Sequence, residues 1–254
     1  TLKPSKPQSL SHRLYSYSMA LRALLLLLAV GLTAGLTPLV TAEQANVTSG
    51  RATAEKSWRG GRLDEIETLA QAFPKDESIA VYHALSVAAR GDYSRAESIL
   101  KPFVAANPGG DAALETGLLQ LGVGRRTEGR QTLQLILAAD VRSPSARDYL
   151  RAARASRALH RIDDAQSYFR DAVAMAPNDV RLNTEWGELF VEKYANAEAA
   201  KSFQEALKAD PEYGPALVGL ARALADENPP QAIALAQQVL KINPSDVAAN
   251  VFLA

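Results

Sequence analysis

The sequence predicts an all-α fold, a solenoid built from antiparallel helix pairs. Two series of residues and one absence predict it. Pro74, Pro108, Pro144, Pro177, Pro211 and Pro244 follow one another at 34, 36, 33, 34 and 33 residues. The small residues Ala96, Gly129, Ala165, Ala199 and Ala232 follow at 33, 36, 34 and 33. Two independent markers sharing one period near 34 residues are the signature of a stacked repeat. No run of β-branched residues alternates with period two, so no strand is expected.

Taken in chain order, residues 1–42 carry Lys3, Lys6, Arg13 and Arg22 and no acid. Residues 1–18 read as an unstructured upstream extension. Residues 19–42, from Met19, read as a secretory signal: Arg22, then the uncharged run ALLLLLAVGLTAGL over 23–36, then Val40-Thr41-Ala42 as a small-residue cleavage site. Cutting after Ala42 leaves Glu43 as the mature N-terminus. The competing reading is an uncleaved anchor, because the twenty uncharged residues 23–42 are long enough to span a bilayer. With no cysteine in the chain, a lipoprotein, a disulfide framework and thiolate metal sites are all excluded.

Residues 43–59 read as a linker or partial first helix, and 60–254 as about six helix pairs cut off in a seventh. The first pair is short: Trp58, Leu63, Ile66, Leu69 and Phe73 form its apolar stripe, and it is expected to act as a cap. Pro102 falls inside a second helix and is expected to kink it. The clearest pairs are 179–193 with 196–209 and 213–226 with 229–242, rich in the helix formers Ala, Leu, Glu, Lys and Gln. Turns within pairs are expected near Gly91, Gly124, His160, Tyr194 and Asn228. Small residue to proline is 12 positions in four units and 15 from Gly129 to Pro144. About three extra residues therefore sit in the loop AADVRSPS, where an insertion leaves the helices in phase. VAANVFLA opens a further first helix at the C-terminus, as in a fragment of a longer protein or one awaiting a partner.

The spacings within units add detail. One unit reads Trp186-Gly187-x2-Phe190, then Ala199-x3-Phe203-x2-Ala206-x4-Pro211. Another reads Ala165-x3-Phe169-x2-Ala172-x4-Pro177, and a third Leu217-x2-Leu220-Ala221-x2-Leu224 followed by Ala232 and Pro244. These residues resemble the tetratricopeptide repeat, over about 60–254. The resemblance implies a right-handed superhelix in which Gly117, Gly187 and Ala199 let helices approach and Phe169, Phe190 and Phe203 fill the space between units. It also implies a concave groove, lined by first helices, that holds peptides or partner helices. The positions mapped to that groove are Val81, Leu85, Leu114, Leu118, Arg147, Leu150, Arg154, Arg157, Thr184, Glu188, Val218 and Arg222. Arg147, Arg151, Arg154, Arg157 and Arg161 form a basic ridge that could take an acidic peptide, unless nearby acids such as Asp148, Asp163 and Asp164 neutralise it.

Nothing reads as a catalytic constellation: no G-x-S-x-G, H-E-x-x-H or phosphate loop occurs. His83 reads as a packed helix residue and His160 as a turn residue. Glu185, Glu188 and Glu192 share a helix face and read as a solvated face before an acid–base or metal site. Lys+Arg and Asp+Glu balance at 28 each, which argues against nucleic-acid binding. The expected function is a noncatalytic exported scaffold, periplasmic or extracellular, that binds a protein or peptide, needs no cofactor or metal, and touches no membrane once cleaved. The alternatives are the repeat region of a larger exported enzyme, or a component of envelope assembly or polysaccharide secretion.

Overall fold

The structure, a computed structural model, describes residues 44, 46–139 and 143–254. The export signal and the Ala42–Glu43 junction lie outside the described residues, as does most of the expected loop insertion. The chain divides into two compact units, residues 1–49 and 50–254.

Among the described residues there are helices and turns and no strand. Residues 46–59 are helical (α1). They are followed by α2 (Leu63–Ala72), α3 (Glu77–Ala89), α4 (Tyr93–Ala106), α5 (Asp111–Gly122), α6 (Arg126–Ala138) and α7 (Ala146–Ala158). Then come α8 (Ile162–Met175), α9 (Val180–Glu192), α10 (Asn196–Ala209), α11 (Gly214–Leu224), α12 (Pro229–Ile242) and α13 (Val247–Leu253). Each of α3, α5, α7, α9 and α11 packs on the even helix after it, and α3, α5, α7, α9, α11 and α13 also pack on one another in sequence. The result is an α-solenoid whose first helices form one wall and whose second helices form the other.

The local chemistry repeats with the period. Asp76, Ser145, Asp179 and Asp246 cap first helices, each side chain accepting a backbone N–H three residues on. Such caps satisfy donors that the helix itself leaves unpaired. The turn inside each of the first five pairs passes through a left-handed residue: Gly61, Gly91, Gly124, His160 and Tyr194, with φ between +57° and +88°. Asn228, at the sixth turn, has φ −142° and instead caps α12 with its side chain.

Packing repeats as well. On the second helices Leu100, Leu133, Phe169, Phe203 and Ala236 occupy one register and are essentially inaccessible. Facing them on the first helices is a register of small residues, Ala84, Gly117, Ala153, Gly187 and Ala221, all buried. The Phe203 ring shows why. A Cβ on Gly187 would lie 2.7 Å from it, and one on Gly219 would be closer still, so the ring is wedged between α9 and α11. Phe190 is only half-buried and stacks on Trp186, with ring centroids 5.4 Å apart.

Three expectations need adjustment. Of the two readings of 43–59, linker or partial first helix, the described residues show helix, and 50–59 is a full first helix of the first pair, with Ala54 and Ser57 fully buried. Its Thr, Ser and Gly content hides the apolar spacing. Secondly, α4 continues past Pro102 to Ala106. Ser98 and Pro102 are both exposed there, so water can take the carbonyl that proline leaves without a donor. Thirdly, the first pair does more than cap the array, because it also meets the last repeats.

Candidate functional site: a cup lined by first helices

The first helices present two registers one turn apart. Val81, Leu114, Leu150, Thr184 and Val218 are equivalent positions and none is more than 8% exposed. Val81, Leu114, Leu150 and Val218 pack between neighbouring first helices and belong to the core, so the expectation that these four line a groove is corrected; Thr184, though buried, borders the larger cavity. The reason is geometric: a first helix is covered on one side by the next repeat, and this register points there. Leu85, Leu118, Arg154, Glu188 and Arg222 form the second register. Leu85, Arg154 and Glu188 line a cavity of about 750 Å3, while Leu118 and Arg154 line a second of about 530 Å3 beside it.

The larger cavity is bounded on one side by α1, with Glu55, Trp58 and Arg59, and opposite by Glu212, Tyr213 and residues of α12 and α13. The array thus closes on itself. Arg59 reaches across to form an ion pair with Asp210 at 2.8 Å. It donates to the Glu212 carbonyl at 3.2 Å and lies over the Tyr213 ring, 4.9 Å from its centroid. Gly61 sits against the Asn243 side chain, and a Cβ there would be 2.6 Å from the amide oxygen. Its φ of +68° and this close approach both call for glycine.

The wall between carries a ladder of ion pairs across consecutive first helices. Asp111 of α5 pairs with Arg147 and Arg151 of α7. Arg154 is held between Glu115 of α5 at 2.7 Å and Glu185 of α9 at 3.1 Å. Arg157 pairs with Glu192 at 2.6 Å and also meets Glu185 and Glu188. Glu188 pairs with Arg222 of α11 at 2.8 Å. Burial pulls the Arg154 guanidinium down, but Glu185 and Glu115 outweigh it and hold the group above its ordinary range. Four members of the expected basic ridge are therefore neutralised, mostly by acids of α5 and α9 rather than by the expected Asp163 and Asp164. Arg161 is exposed at the turn before α8. Glu185, Glu188 and Glu192 are partners of Arg157, not an open carboxylate cluster.

Two phenols face the same cavity. Burial, reinforced by the Glu55 carboxylate, pushes Tyr82 up to about 12. Burial does the same to Tyr213, pushed up to about 12 with Glu55 again contributing. Both stay neutral donors at any physiological pH.

The tetratricopeptide-repeat family profile matches residues 150–214 and 185–247. The matched stretch, residues 150–247, is built of tetratricopeptide repeats. Among solved structures the chain is similar to a tetratricopeptide-repeat protein of Parabacteroides merdae, at 17% identity and TM-score 0.56, over 80% of this chain and 81% of that one. A thermophilic tetratricopeptide-repeat protein of Thermus thermophilus is 20% identical at TM-score 0.54, over 69% and 96%. Yeast Tom70 is 19% identical at TM-score 0.50, over 76% and 41%. No curated protein matches it in sequence.

Tetratricopeptide-repeat arrays are generally noncatalytic scaffolds, and this fold suits protein or peptide binding. The remaining candidates fall in place accordingly. Arg147 is exposed beside Ser78 and Asp111, at the rim. His83 is half-buried with its Nε2 inaccessible and without a partner, and burial lowers its pKa. Sequence reasoning missed Glu55, Arg59, Tyr82, Arg181, Glu212 and Tyr213. Tyr82, Glu115, Arg151 and Glu185 share one register, one residue after the buried one, and reading that register along the repeats would have found them. Nothing local could place Arg59 beside Asp210, 151 positions on.

Proposed function

We propose that this protein is a noncatalytic exported scaffold that holds a segment of a partner protein in the cup formed by its first helices. The observation that carries this reading is the second register. Leu85, Leu118, Arg154, Glu188 and Arg222 repeat with the period of the array yet differ in chemistry from one repeat to the next, while the register one turn away stays buried. Structural positions in a repeat converge on one kind of residue, and positions that read a ligand differ by repeat. Support for export comes from the sequence of residues 19–42, with its basic start, uncharged run and small-residue cleavage site. Among the described residues no helix is long and apolar enough to cross a membrane.

Site-specific photocrosslinking in the native host tests both parts. A photoreactive side chain at Leu85 or Leu118 should crosslink a second protein, and one at Leu135, exposed on second helix α6, should not. Equal crosslinking from all three positions would place the partner elsewhere. N-terminal sequencing of the recovered protein should begin at Glu43; an intact chain in the cytosol contradicts export.

A further inference from the structure

The charge left over in the cup indicates what kind of segment fits it. The lining holds six carboxylates, Glu55, Glu115, Glu185, Glu188, Glu212 and Asp246, against three guanidinium groups, Arg59, Arg154 and Arg181. The guanidinium groups are already used. Arg154 lies between Glu115 and Glu185, Arg59 is held by Asp210, and Arg181 is 3.6 Å from Glu115. The acids are not all used: Glu55 and Glu212 form no ion pair among the described residues, and they stand on opposite sides of the cavity. Between them lie aromatic faces, Trp58, Tyr82 and Tyr213. An acidic ligand would find no unpaired cation on these walls and would meet two unpaired carboxylates.

The chain supplies its own example of what this wall recognises. Where α1 meets the α10–α11 turn, a guanidinium is bound by a carboxylate, a backbone carbonyl and a tyrosine face together, namely Arg59 by Asp210, the Glu212 carbonyl and Tyr213. That is a complete set of contacts for a planar cation with an aliphatic stem. The same ingredients continue into the cavity, with Glu55 acting on both Tyr82 and Tyr213.

We infer that the cup selects a basic segment of its partner, one whose Lys or Arg side chains lay their stems on Trp58 and Tyr82 and place their charges at Glu55 and Glu212. This rests on the scaffold reading above and reverses the sign expected from the arginine ridge. The occupant is a peptide segment of another protein, because the cavity's apolar rings and spaced acids fit a side chain on a backbone better than a bare cation.

The test is selection of a random phage-displayed dodecapeptide library on the immobilised full chain. Peptides enriched in Lys and Arg with apolar neighbours are expected. The best of them, made with a fluorophore, should bind about tenfold more weakly to Glu55→Gln/Glu212→Gln than to the wild type, the loss of charged hydrogen-bond partners. It should bind normally to Glu198→Gln, an exposed acid of α10 outside the cavity. Matching circular dichroism melts for all three proteins show that the fold is kept. Enrichment of acidic or neutral peptides, or unchanged binding to the double variant, overturns the inference while leaving a peptide-binding scaffold. No enrichment over bare support overturns the scaffold reading as well.

Discussion

One helical turn separates two registers on the same first helices, and they obey different rules. Val81, Leu114, Leu150, Thr184 and Val218 are buried between repeats and are all apolar or nearly so. Leu85, Leu118, Arg154, Glu188 and Arg222 face the cup side and run from apolar to ionic along the array. The buried register must satisfy packing with both neighbouring repeats, so it tolerates little. The inner register is only partly covered: Leu85 and Leu118 lean on the core, Arg154, Glu188 and Arg222 join the ladder of ion pairs, and the rest meets whatever enters the cup. Val251 sharpens the point: it holds the buried register in α13, is 70% exposed, and is the one described member with no further helix packed over it.

The largest expected effect breaks the buried register. Leu114→Ala should cost about 3 kcal/mol, since a fully buried leucine leaves a cavity that the stack cannot close. Leu118→Ala, one turn on and half-buried, should cost less than about 1 kcal/mol. Urea melts of the two variants decide it, and equal losses would erase the distinction between the registers.

An intermediate effect comes from the ion-pair ladder. Arg154→Met leaves Glu115 and Glu185 facing each other with their shared partner gone, and both are largely shielded from water. The expected cost is about 2 kcal/mol, against less than about 1 kcal/mol for Arg222→Ala at an exposed pair. Adding Glu115→Gln to Arg154→Met should return part of the loss. A double variant no more stable than the single one would show that the arginine acts by packing alone.

How much of this was legible in the sequence follows the same division. The period, the turn residues His160 and Tyr194, and the small residues opposite Phe203 are local signals repeated in each unit, and the helices fall within a residue or two of the expected 179–193 and 196–209. The two registers were legible as positions, but not which of them is covered, because that depends on how far each repeat rotates over the next. Asp111, Glu115 and Glu185 answer the arginines of α7 from neighbouring repeats, a pairing that spacing within one helix cannot reveal. Least legible was α1, whose weak apolar pattern left it open between linker and partial helix and hid its contact with the far end of the array.

The smallest expected effect lies outside both registers, at the turns. Tyr194 is 92% exposed and held at φ +57°, a conformation costly for a side chain and free for glycine. Tyr194→Gly should stabilise the array by about 1 kcal/mol in a thermal melt, because the turn loses strain and no contact. A loss of stability would mean that the freedom glycine gives the unfolded chain outweighs the strain relieved at the turn.

The array closes, with α1 and the α10–α11 turn meeting at one cup. The chain has no cysteine, so spin labels can be placed at Lys56→Cys and Glu212→Cys without background. Pulsed electron–electron resonance on that pair measures the closure directly. A single short and narrow distance distribution is predicted, broadened when Arg59→Ala removes the contact with Asp210 and Tyr213. A broad, long distribution in the presence of Arg59 would mean an open spiral and no cup.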